Sequence, residues 1–106
     1  MIARLWTARA TRTNAPAYRQ HFETAVVPDL RRLDGYVGAS LLLRDHAEET
    51  EIVVMTRWRS LDAVRAFAGA DVDAAVVADD ARRVLVSWDE RVRHYIVAVD
   101  DGIQPE

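Results

Sequence analysis

Apolar and polar positions along this chain sort into four ribbons with a period of two and two longer stretches with a period between three and four. In the third ribbon, residues 52–58, Ile52, Val54 and Trp58 fall on one side while Val53 and Met55 fall on the other. The second, residues 37–43, reads Val-Gly-Ala-Ser-Leu-Leu-Leu, and the first covers residues 2–10. The last, residues 88–99, sets Val92, Ile96 and Ala98 against Tyr95, Val97 and Val99. A sheet wetted on one face alternates apolar with polar side chains, and these ribbons mostly do not. Two helices suffice to cover one face only. The pattern therefore predicts that a second copy of the chain covers the other, giving a homodimer.

The punctuation fixes the order of the elements. Thr11-Arg12-Thr13-Asn14 interrupts the first strand, and Thr13 or Asn14 can cap a helix that tolerates Pro16 in its first turn. Tyr18, Phe22, Ala25, Val26, Leu30 and Leu33 then recur as one apolar stripe. Pro28 predicts an end, a kink or a restart within that helix, because proline removes a helical donor. Asp34-Gly35 turns the chain into the second strand, and the polar residues 45–50 form a hairpin loop to the third. Ser60 caps a second helix over residues 61–68, which Gly69 closes. Residues 71–86 read less clearly, with Val72, Ala75 and Val76 suggesting one or two further helical turns. The order β-α-β-β-α-β predicts an α+β, ferredoxin-like fold with a four-stranded antiparallel sheet, and two such sheets facing each other close a homodimeric barrel. A single domain over residues 1–100 is expected, followed by a loose tail at 101–106.

Composition narrows the function classes. The 106 residues are 50% hydrophobic and 29% charged, with a formal net charge of −3 and no basic excess to neutralise nucleic-acid phosphates. All 14 basic residues are arginine, which together with abundant Ala, Val and Asp points to GC-rich bacterial coding. The absence of cysteine excludes disulfides, thiolate metal sites and a Cys nucleophile. No apolar run approaches the ~18 residues of a membrane span, and no signal-peptide core is present, so no membrane partner is expected and the cytoplasm is the expected location. Three scattered histidines lack metal-ligand spacing, and neither a phosphate-binding glycine loop nor a Gly-x-Ser-x-Gly elbow occurs.

The segments around Met1–Trp6, Leu33–Ala39 and Val54–Gly69, with His94-Tyr95 after them, resemble in order and spacing the antibiotic biosynthesis monooxygenase (ABM) superfamily of dimeric α+β barrels. The most specific piece is the strand ending Trp58-Arg59-Ser60 ahead of a helix containing Ala and Phe67. The resemblance implies a homodimer acting, without cofactor or metal, on an aromatic or polyketide-type small molecule, or else a non-catalytic dimer that binds such a molecule or assists a partner enzyme. The haem-degrading branch resembled by this layout carries a first-strand asparagine and a histidine shortly after the second helix. Here the corresponding residues are Trp6 and Thr7, and 71–77 hold no histidine, so haem degradation is disfavoured.

Within that frame His94, on the same strand face as Val92 and Ile96, is the first candidate for a catalytic base, its plainer reading being a hydrogen-bonded core or interface histidine. His21, at the edge of the helical stripe, is the second, and His46 in the hairpin loop faces solvent. Arg4 alternates with Ile2 and Trp6 and either stabilises a substrate anion or pairs across the dimer with a carboxylate such as Glu51 or Glu90. Trp6 is expected to line the pocket and to offer its indole N–H to an anion, whereas Trp58 favours packing at the strand-helix corner. Phe67, Tyr18 and Phe22 complete the candidate substrate-binding set, with Tyr36 and Trp88 as rim positions.

Overall fold

In a computed structural model, which describes residues 1–102, a mixed helix-and-sheet fold is built around a single central strand. That strand, β1 (Ile2–Thr11), is flanked on one side by β3 (Glu49–Trp58), beyond which lies β2 (Tyr36–His46). On its other side the last strand pairs with it in two pieces, β4 (Ser87–Trp88) and β5 (Arg93–Ile96). All pairings are antiparallel. The first helical segment comprises α1 (Ala15–His21), a π-helical turn (Phe22–Val26) and α2 (Val27–Leu30); the second is α3 (Leu61–Ala68), and a short α4 (Asp79–Arg82) follows. This is the ferredoxin-like order expected, with the fourth strand split.

Directly paired residues share a face, so register assigns every side chain of the sheet. The rung Ala39, Thr56, Arg4, His94 and the rung Leu41, Val54, Trp6 face the helices. The rung Ser40, Met55, Leu5, Arg93 and the rung Leu42, Val53, Thr7 face away from them. Beneath the helices, Ile52, Trp58, Leu30 and Val64 are fully buried. Trp58 stacks on Phe67 with ring centres 5.5 Å apart, meets the edge of Tyr36 at 5.7 Å, and donates to the Thr56 hydroxyl at 2.8 Å. On the opposite face Leu5, Val53 and Met55 are half-buried, and Leu42 and Tyr95 remain 52% and 48% exposed.

Three local departures from the sequence pattern have physical causes. The hairpin loop is tighter than residues 45–50, because β2 and β3 pair up to His46 and Glu49, leaving Ala47 and Glu48 as the turn with Ala47 at φ 54. Pro28 restarts the helix: Val27 donates to the Phe22 carbonyl five residues back, and the next position has no N–H to give. The last strand is not continuous over 88–99. Between the pairs Ala8/Trp88 and Leu5/Arg93, β1 advances three residues while the last strand advances five. The surplus loops out to bond with residues 73–75, through Ala75 N–H to the Glu90 carbonyl and Val92 N–H to the Asp73 carbonyl. Of the expected tail at 101–106, residues 103–106 lie outside the described residues.

Candidate functional site

The helices do not sit flush on the sheet. Between them lies a half-open cavity of about 180 Å³. Its floor is Arg4 and Trp6 of β1 with Val54 and Thr56 of β3, neighbours in the two rungs that face the helices. Its roof is Tyr18, His21, Ala25 and Leu30, carried by α1, the π-turn and α2, and Phe67 closes one end. The remaining wall, Val76 to Ala78 with Ala81 and Val92, comes from the stretch whose pattern was ambiguous. The π-turn widens the helix by one residue where it crosses the sheet, and His21 and Ala25 reach the cavity from that point.

Almost every lining group is apolar, which makes the buried Arg4 guanidinium conspicuous. Arg4 is only 4% exposed. Its Nη1 donates to the Val72 carbonyl and, at 3.0 Å, to His94 Nε2, while Nη2 donates to the Ala74 carbonyl at 2.7 Å. The guanidinium also lies 5.5 Å from the centre of the Phe67 ring. Desolvation pulls the Arg4 pKa below its ordinary value, an effect opposed by the nearby Asp73 carboxylate. Within the single chain Arg4 makes no ion pair with Glu51 or Glu90 among the described residues. Arg4 Cα is opposite Thr56, and Glu51 projects from the other face of β3 toward Arg44.

His94 sits behind Arg4 rather than in the cavity. Arginine only donates, so His94 Nε2 must accept; the ring proton then resides on Nδ1, which faces Asp73 Oδ1 at 3.0 Å. Both ring nitrogens are engaged, which leaves no lone pair to receive a proton from a ligand in this arrangement. His21, by contrast, lines the cavity and has no side-chain hydrogen bond among the described residues. Its ring is 5.9 Å from that of Tyr18, which in turn lies 6.0 Å from Trp6. Burial pushes the Tyr18 phenol well above its ordinary pKa. The Trp6 indole lines the cavity but its N–H donates to the Asp89 carbonyl at 2.9 Å, so it supplies a flat surface and not a donor.

The sequence-expected residues therefore divide. Arg4, Trp6, Tyr18, His21 and Phe67 converge on the cavity. Trp58 lies beneath Phe67 as packing, Phe22 is buried in the core beside Tyr18, and His94 braces Arg4 from behind. Thr56 and the wall at 76–81 were missed. For Thr56 the signal was its parity with Val54 and Trp58; the wall has no periodic signal at all. Among the described residues no group of three or more His, Asp or Glu is placed to hold a metal ion, and no helix is long and apolar enough to cross a membrane.

A helix-covered antiparallel sheet enclosing an apolar, aromatic-lined cavity with one buried cation defines a ferredoxin-like α+β domain. The chain belongs to the antibiotic biosynthesis monooxygenase family, whose model matches residues 1–79. A comparison with curated proteins finds no match. Among solved structures, the chain is similar to an assigned antibiotic biosynthesis monooxygenase of Bacillus cereus, with TM-score 0.70, 16% identity and coverage of 99% of this chain and 98% of that one. It is similar also to the haem degrader MhuD of Mycobacterium tuberculosis, which holds two haems in its active site (TM-score 0.64, 22% identity, 96% and 100% coverage). A third is SnoaB, a cofactor-independent oxygenase of Streptomyces nogalater (TM-score 0.58, 19% identity, 99% and 98% coverage).

The stretch after α3 does not supply a haem ligand, and neither does His94. The stretch 71–77 offers no His, Cys, Met or Tyr to coordinate iron, and His94 is held between Arg4 and Asp73.

Proposed function

We propose that the chain is a cofactor-independent, monooxygenase-like protein acting on an aromatic or polyketide-type small molecule in this cavity. The observation that carries the reading is the cavity itself: apolar walls with aromatic faces, a charged guanidinium buried at the floor, and an uncommitted imidazole in the lining. Oxygen chemistry without a cofactor requires the substrate to supply the electrons. For a substrate with an acidic ring methylene, His21 removes one proton and Arg4 stabilises the anion that results. The carbanion reduces dioxygen and bonds to one of its atoms. Loss of water then leaves a carbonyl at that carbon, with one oxygen atom in the product and the other in the water that carries away both methylene protons. Trp6, Phe67 and Tyr18 hold the ring, and Trp58 acts through Phe67.

Oxygen-electrode assays with one- and two-ring ketones that carry an acidic ring methylene, such as 2-indanone and 2-tetralone, with product mass spectrometry, test this directly. We expect uptake with at least one class, and His21→Ala to lower turnover by about 10²–10⁴-fold while binding persists. Unchanged uptake in that variant would remove His21 from the role.

A second reading, a non-catalytic aromatic-binding or accessory dimer, is favoured by one observation: the Trp6 indole and both His94 nitrogens are already committed to the protein. Tight binding of an aromatic ligand with no uptake across the panel would select it. In either reading two copies pair through the open sheet face, where Leu5, Leu42, Val53 and Met55 are otherwise wetted, and the setting is the cytoplasm of a bacterium.

A further inference from the structure

We infer that the cavity is selective for a compact aromatic monoanion, a carboxylate or equally acidic group on one or two fused rings, with the anionic end on Arg4. The inference deepens the site assignment above and is independent of whether oxygen chemistry follows. Charge comes first. A guanidinium carries five N–H donors, and Arg4 engages three of them, with the Val72 and Ala74 carbonyls and His94. The Nε–H and one Nη2–H have no protein acceptor among the described residues, on a side chain that lines the cavity and is nine-tenths buried. A buried cation is costly unless an anion or acceptors meet it; two carbonyls, an imidazole, the Phe67 ring and the nearby Asp73 charge meet part of the demand, and two N–H donors remain for a ligand.

The nearby carboxylates do not compete for that position. Asp73 is turned to His94 and, at 3.9 Å, to Arg91, which is also held by Asp71 at 3.0 Å. Asp29 lines the cavity, but its side chain is 79% exposed at the mouth and lies 3.9 Å from Arg32. The buried cation at the floor therefore faces an entrance where Asp29 is wetted and offset by Arg32, which favours an anion inward with its ring following.

Size comes second. An apolar cavity of ~150 Å³ accommodates a benzene ring. The 180 Å³ here therefore admits one substituted ring, or two fused rings reaching the open mouth, between Trp6, Phe67 and Val54. A third fused ring has no room without moving Phe67, which is stacked on the fully buried Trp58.

Calorimetric titration of the full chain at neutral pH with naphthoate, its methyl ester, naphthylmethylamine and anthracene carboxylate tests both halves. We expect naphthoate to bind about 10- to 100-fold more tightly than the ester, the range of a charge-assisted hydrogen-bond pair, with the amine weaker still. Anthracene carboxylate should bind at least about tenfold more weakly than naphthoate, as a ligand that must displace packed side chains. Arg4→Met should abolish the preference of acid over ester while leaving ester affinity within about threefold. Arg4 also secures residues 72–74, so if that variant does not fold, the ligand series on the unaltered chain decides alone. Equal or tighter binding of the ester overturns the anion assignment, and equal binding of the three-ring acid overturns the size limit. Acid-selective binding without oxygen uptake upholds this inference and removes the oxygenase; oxygen uptake on neutral substrates with no acid preference does the reverse.

Discussion

At the scale of single residues, the site is organised by who holds whom. Asp73 fixes the His94 tautomer, His94 accepts from Arg4, and Arg4 lines the cavity. His94 is thus a positioning residue. His94→Gln, which can still accept from Arg4, should keep naphthoate affinity within about threefold, whereas His94→Leu should lower it about tenfold, a split that mere packing would not produce. Tyr18 carries a pH signature. Its folded pKa is raised by burial, so its contribution to stability is complete below the unfolded value of about 10 and declines as pH rises beyond it. Tyr18→Phe should therefore make alkaline unfolding above pH ~10 shallower, as followed by circular dichroism. Two glycines with positive φ separate strain from crowding. A Cβ on Gly69 (φ 86) meets nothing, so Gly69→Ala should cost about 1 kcal/mol. On Gly35 (φ 85) it would lie 2.5 Å from the Ala63 Cβ, and Gly35→Ala should cost at least ~2 kcal/mol in denaturant unfolding.

At the scale of elements, strands and capped helices were legible because each carries a local signal. Ser60 accepts from the Ala63 N–H, Gly69 ends α3, and the even positions of β3 are the buried ones. Ser60→Ala should accordingly cost about 1 kcal/mol. Arg4, Trp6, Tyr18, His21 and Phe67 were legible as lining because they stand on regular elements whose parity assigns a face. His94 shared that parity and still missed the cavity, because parity fixes a face but not what stands between a side chain and the space above it. The wall at 76–81 was illegible for a different reason. It follows residues 73–75, which long-range backbone bonds tie to residues 90–92, and such bonds leave no periodic trace. Pro28 was legible as a disturbance, though not as a π-turn, since the outcome depends on which carbonyl the helix forgoes. Pro28→Ala supplies the missing donor, so thermal stability should rise while ligand affinity falls, as His21 and Ala25 lose their aim.

At the scale of the whole molecule, the sheet is lopsided. One face is sealed by helices and the other presents Leu5, Leu42, Val53 and Met55 with charged residues such as Arg9, Arg44 and Glu51 toward one end. On the proposed pairing of two copies through that face, Val53→Arg in its middle should shift sedimentation from dimer to monomer at micromolar concentration without unfolding the chain, and a monomeric unaltered chain would overturn the pairing. The two surplus residues between Trp88 and Arg93 act at this scale as well. They spoil the ladder with β1, yet they are the stitch that pulls the third side of the chamber against the sheet. Any attempt to regularise this protein by trimming that surplus would improve the weave and open the room. Homologous sequences of the same length but with an uninterrupted final strand should, by the same logic, have given up the enclosure.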